Sequence, residues 1–129
     1  MIAYVEGKID RNVKDFFNKK IILINAEHII SELEVESAYL KAKRSFETGN
    51  NVSRELSSEI MLYLYGGRQI SEAVKKYGIN EKTNKYFLIS EDDINIRELG
   101  FKVLKFKKKY EREIILQRLE NIALVDLKK

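Results

Sequence analysis

The sequence predicts an α+β fold: a single domain, residues 1–129, in which a small mixed β-sheet packs against a cluster of helices. Three observations carry this. Short runs rich in β-favouring residues recur at 2–9, 21–24 and 86–89. Between 35 and 77 the apolar residues instead repeat at helical spacing. Glycine and asparagine punctuate the change from one period to the other.

Each element has a local reason. Residues 2–9 alternate loosely and read as a first strand. Asp10 is placed to cap a short helix carrying Val13, Phe16 and Phe17 on one side. Ile21, Ile22, Leu23 and Ile24 form a continuous apolar run, the mark of a strand covered on both faces. Asn25 is suited to end that strand and to cap a helical turn holding His28, Ile29 and Ile30. Ser31 followed by Glu34 is a capping-box pattern, so a helix is equally able to begin there. The residues admit either one helix or two.

Val35, Ala38, Tyr39, Ala42 and Phe46 make the stripe of an amphipathic helix that Gly49-Asn50-Asn51 stops. Ser53 is positioned to cap a next helix over 54–65, in which Leu56, Ile60, Tyr63 and Leu64 share a face. Met61, Leu62 and Tyr65 make its end apolar nearly all round, as in a helix central to the core or one with a second face for a partner. Gly66-Gly67 breaks the chain before a helix over 68–77, which Gly78 is expected to close in a left-handed conformation. A strand at 86–89, a helix over 92–99 ended by Gly100, and a strand over 101–106 follow. A last helix over about 110–120 precedes the alternating residues 122–127.

Composition narrows the chemistry. The absence of cysteine excludes disulfides, thiolate metal sites and a cysteine nucleophile. His28 is the only histidine, and no G-x-S-x-G elbow accompanies it, so it reads as a structural residue rather than a catalytic base. No apolar run approaches the ~20 residues of a membrane span, and no secretory leader is evident, so a cytoplasmic protein is expected. Net charge is +4, from 24 basic and 20 acidic residues, too balanced to announce a nucleic-acid partner by itself. The distribution is more telling. Residues 102–112 hold six basic side chains against one acid, Lys41, Lys43 and Arg44 add a second basic cluster, and residues 91–93 are acidic. Such runs are either phosphate-binding patches or merely solvated faces. Gly66-Gly67-Arg68 suits an anion, yet it matches no nucleotide-binding fingerprint and reads equally as a helix–helix turn.

The segment SRELSSEIMLYLYGGRQISEAVKKYGI, residues 53–79, carries a resemblance. Glu59, the Leu62-Tyr63-Leu64 run, Gly66, the Arg68-Gln69-Ile70 triplet, Ala73 and Gly78-Ile79 resemble the central signature of the small accessory subunit of the KEOPS complex. This is the family of the PRPK-binding protein TPRKB and its archaeal counterparts. Asn25-Ala26-Glu27-His28 with Ala38 and Ala42 looks like the family's earlier region, and residues 122–127 look like its ending. Residues 92–110 carry none of the matching features.

The resemblance implies a non-catalytic role without cofactor, metal or small-molecule substrate. KEOPS makes threonylcarbamoyladenosine in tRNA. In this family the small subunit binds the atypical kinase/ATPase subunit and grips the 3′ CCA tail of tRNA. Met61, Leu62, Tyr65, Gln69 and Ile70 are the residues expected to meet the kinase. Lys41, Lys43, Arg44, Arg54, Gly66, Gly67 and Arg68 are those expected to meet tRNA. The competing reading is a protein-interaction scaffold or kinase regulator without affinity for nucleic acid.

Overall fold

The computed structural model describes residues 1–9 and 20–129, and the expected helix after Asp10 lies outside the described residues. The architecture is α+β. Its strands are β1 (Ile2–Glu6), β2 (Ile22–Asn25), β3 (Lys85–Ile89) and β4 (Lys102–Val103). Its helices are α1 (Glu32–Glu47), α2 (Leu56–Tyr65), α3 (Ile70–Tyr77) and α4 (Arg112–Lys128), with a short 3-10 helix at Ile96–Leu99. The strands lie in the order β2-β3-β1-β4. Every described pairing is antiparallel, so the sheet is not mixed as expected.

Period-two alternation gives the sheet two apolar faces. Tyr4, Ile24, Phe87 and Ile89 turn toward the helices, where they join Val35, Ala38, Ala42, Ile60, Tyr63, Tyr77, Ile122 and Val125. Val5, Leu23, Tyr86 and Leu88 turn the other way and are covered by Phe101 and by Ile94, Ile96 and Leu99. The apolar run at 21–24 is explained by this double covering, although β2 is an edge strand.

The capping alternative at 25–34 resolves in favour of Ser31. Its hydroxyl accepts from the N–H of Leu33 at 3.1 Å, and the Glu34 carboxylate accepts from the N–H groups of Ser31 (3.1 Å) and Ile30 (2.8 Å). Residues 26–30 form a turn rather than a helix, and His28 stands exposed on it, not packed in the interior. The capping box satisfies N–H donors that a helix starting at Glu32 would otherwise leave orphaned.

Four further expectations are corrected. α2 begins at Leu56 with Glu55 as an uncapped N-terminus, because the Ser53 hydroxyl lies ahead of the cap position and accepts from the Glu55 N–H at 3.3 Å. Gly78 is extended (φ −74°, ψ 156°), not left-handed. Its glycine requirement is one of space: a Cβ there would lie 2.3 Å from the Val74 carbonyl oxygen. Of the segments at 92–99 and 101–106, only the 3-10 turn at Ile96–Leu99 and the two-residue β4 are regular. Residues 110–120 and 122–127 are not separate elements. α4 runs unbroken to Lys128, with Ile122 and Val125 buried and Leu124 and Leu127 exposed.

Candidate functional site

The site grows from the corner between α2 and α3. Ile60, Met61, Leu62, Tyr63 and Leu64 are all buried, so α2 is a central core helix rather than a surface one. It must nevertheless end abruptly, and Gly66 provides the left-handed cap at φ 80°, donating its N–H to the Leu62 carbonyl. α4 passes directly beneath. Asn121 lies 3.6 Å from where a Gly66 Cβ would stand, and Lys128 donates to the Gly66 carbonyl at 2.8 Å.

Tyr65, Gly67, Arg68, Gln69 and Lys128 line an open pocket of about 670 Å³ at this corner. Tyr65 is 37% exposed, and its ring lies 3.4 Å from where a Cβ on Gly67 would stand, so glycine there keeps one face of the ring approachable. Arg68 and Gln69 are exposed, and Arg68 has no ion-pair partner among the described residues. The Lys128 ammonium meets the neutral Gly66 carbonyl and has no ion pair among the described residues. An aromatic ring beside two cations and a glycine-opened backbone is the equipment for holding a flexible anionic strand.

The structure therefore brings together residues expected for two different partners, Tyr65 and Gln69 with Gly67 and Arg68. It does not bring in the rest. Leu62 is fully buried and has no surface to offer a partner, because the α2 stripe that holds it faces the core on every side. Met61 is 8% exposed and lines a different, apolar groove of about 590 Å³. There it joins Leu56, Val74 and Ile79 beside β2. Ile70 is half-buried at the start of α3.

Lys41, Lys43, Arg44 and Arg54 line neither of these pockets. Arg54 precedes the N-terminus of α2, a helix about 15 Å long. The three α1 cations lie toward the same end, since Ser45 of α1 bonds Glu59 in the first turns of α2 at 2.9 Å. Lys43 is already engaged: the Glu91 carboxylate at 3.4 Å raises its pKa by hydrogen bonding.

Three participants were given no site role in the sequence. Val74 and Ile79 are exposed apolar residues that line the groove with Met61. Lys128 enters through α4, and a continuous helical reading of 112–128 would have carried it to the corner. No helix among the described residues is long and apolar enough to cross a membrane.

Toward the N-terminal end of α2 lies an ionic core. Glu59 is fully buried and accepts from Lys129 (2.8 Å), Ser45 (2.9 Å), Ser53 N–H (2.9 Å) and Val52 N–H (3.0 Å). Lys129 also donates to the Tyr63 hydroxyl at 2.6 Å, and Tyr63 in turn bonds Asp126. These contacts fasten the end of α4 to α2, which holds Lys128 under Gly66. Among the described residues, no group of three or more His, Asp or Glu side chains is arranged to hold a metal ion.

What the arrangement offers is a surface for binding: an aromatic and cationic corner beside an apolar groove. Residues 6–128 match the family model described as kinase binding protein CGI-121, and the chain belongs to that family, the one its 53–79 segment resembles.

Proposed function

We propose that this chain acts as the non-catalytic accessory subunit of a KEOPS complex, docking on the atypical kinase/ATPase subunit and recruiting tRNA by its 3′ CCA end. The observation that carries the tRNA half is the α2–α3 corner. Tyr65 supplies a stacking platform, Arg68 and Lys128 supply uncompensated positive charge, and Gly67 leaves the backbone approachable. A single-stranded tail has the exposed base faces and phosphates that such a site takes. The kinase half is supported by family membership and by the apolar surface on the other side of α3. Half-buried Ile70, with Met61, Val74 and Ile79, supplies the kind of apolar anchor on which protein interfaces depend. Acting on tRNA in this way is a cytoplasmic task.

The test is a titration of the protein against whole tRNA and against the same tRNA with its CCA tail removed, at two salt concentrations. Trimming is expected to weaken binding. Arg68→Glu is expected to weaken binding to the intact tRNA and to flatten its salt dependence by about 0.7 for the lost single-strand contact. Equal affinity for whole and trimmed tRNA would remove the tail from this corner and leave the kinase scaffold as the reading.

A further inference from the structure

The lysine-rich stretch at 102–112 takes no part in the α2–α3 corner. Its structure is specific. β4 pairs with β1 in the register Val5↔Val103 and Glu6↔Lys102, and the Leu104 N–H donates to the Tyr4 carbonyl at 2.8 Å. Beyond Leu104 the chain continues as a strap without regular hydrogen bonding, yet its side chains keep a period of two. Leu104 and Phe106 are half-buried, whereas Lys105, Lys107 and Lys109 are exposed.

Two contacts pin the strap. Phe106 packs edge-on against Tyr4, with ring centroids 5.2 Å apart, and against Phe87 at 5.4 Å. Lys108 stays exposed but folds back onto the neighbouring turn. Its ammonium reaches the carbonyl oxygens of Glu27 (2.9 Å), Ile29 (3.2 Å) and Ala26 (3.4 Å), so three carbonyls of the 26–29 turn converge on one cation. A lysine used as a clamp on backbone carbonyls leaves its charge uncancelled. Lys82, Lys85 and Lys108 line a pocket of about 430 Å³ together with Asn25, Asn84 and the Glu27 residue. None of Lys82, Lys85, Lys105, Lys107, Lys108 and Lys109 has an ion pair among the described residues.

We infer that this pinned strap is a second interaction surface, which binds the sugar–phosphate backbone of base-paired RNA. Outward positions on an extended chain recur about every 6.6 Å, two residues of strand rise, which is the length scale of the step between phosphates along a nucleic-acid strand. Anchoring by Phe106 and Lys108 fixes the backbone that carries the three lysines in a row, so less ordering of the chain is needed on binding. Between Lys105 and Lys109 the strap presents lysines outward and turns its ring, Phe106, inward; the exposed Tyr110 lies one residue beyond the row. The row is therefore suited to phosphates rather than bases. A lipid surface is ordinarily met by an amphipathic helix, and an acidic peptide has no fixed charge repeat. The strap lies outside the α2–α3 corner and does not depend on the tail reading.

The test uses the full chain and a fluorescent RNA hairpin with a blunt stem and no 3′ overhang. Anisotropy is measured at several salt concentrations for wild type and for the triple variant Lys105→Ala, Lys107→Ala, Lys109→Ala. Three lost phosphate contacts at about 0.9 each are expected to reduce the slope of log K against log salt by about 2.7. At ~0.15 M salt that corresponds to about 100-fold weaker binding. All three side chains are exposed, and an unchanged circular-dichroism melt establishes that the fold is intact. Absence of wild-type binding to the hairpin, or an unchanged slope and affinity in the folded variant, overturns the inference. So does equally tight wild-type binding to polyglutamate or to phosphatidylserine vesicles, since the surface would then be indifferent to RNA. Because the hairpin has no tail, failure here leaves the CCA reading intact, and the reverse holds too.

Discussion

Lys129→Met is the most demanding test of the core described above, because it removes one charge from a buried pair and leaves the other. The Lys129 and Glu59 side chains are 4% and 0% exposed, and the ammonium lies 2.8 Å from the carboxylate. The lysine also sits 4.5 Å from the Tyr63 ring centroid. Removing one partner of a buried pair ordinarily costs about 3–5 kcal/mol. Glu59 would keep three donors, from Ser45, Val52 and Ser53, so the lower end applies: about 3 kcal/mol. For a chain of this size that is roughly 12 °C in Tm.

The pH dependence has a definite sign. Burial pushes the Glu59 carboxyl up, but hydrogen bonds from Lys129, the Ser53 N–H and Ser45 more than offset it and hold the group below its usual range. A depressed carboxyl stabilises the fold above its unfolded pKa and loses that contribution as pH falls through the folded value. The gap between wild type and variant is therefore widest near neutrality and narrows in acid, where the stranded carboxylate of the variant is relieved by protonation. Urea denaturation at pH 7 and at acid pH measures both. Adding Glu59→Gln to the variant is expected to recover part of the loss. A loss below about 1 kcal/mol, the range of exposed pairs, and equal at both pH values, would refute the argument and place Lys129 in solvent.

Two other substitutions separate interface from core. Ile70→Glu is expected to weaken binding to the kinase subunit by ~2–4 kcal/mol while the circular-dichroism spectrum stays native, as for an interface anchor; global unfolding would return Ile70 to the core. Gly78→Ala sets a methyl group against the Val74 carbonyl oxygen, 2.3 Å away, and is expected to cost about 1–3 kcal/mol in denaturant. Wild-type stability in that variant would mean that the turn after α3 shifts freely.

Much of this fold was legible residue by residue. The α1 stripe of Val35, Ala38 and Ala42 is fully buried, and the apolar run at 86–89 is the interior of β3. Errors fell where local signals competed. Asn25 and Ser31 both look like helix caps, and the reciprocal bonds of Ser31 and Glu34 decided between them. At 122–127 an alternating pattern suggested extended chain, yet Ile122 and Val125 are one helical turn apart and both enter the core. Within the candidate site, Gly67 and Arg68 stood out because a double glycine before a helix is a local signal, whereas Tyr65, expected on the kinase side, was brought beside them only by the fold. Leu62 was misread because an all-round apolar helix end fits burial and docking equally well, and only its neighbours tell which.

The sequence by itself determined the class of this protein: an α+β binding domain of the kinase-binding family, without thiol chemistry and with its positive charge gathered in separate runs. These are properties of composition, period and a continuous signature, all readable along one dimension. The tertiary structure decided which charges act together. It carried Lys128 across 62 residues to the Gly66 carbonyl and joined Lys108 to the turn at 26–29. It also sealed Lys129 against Glu59. Contacts of that kind depend on where α4 and the strap come to rest on the sheet and helices, and that is set by packing between segments distant in sequence.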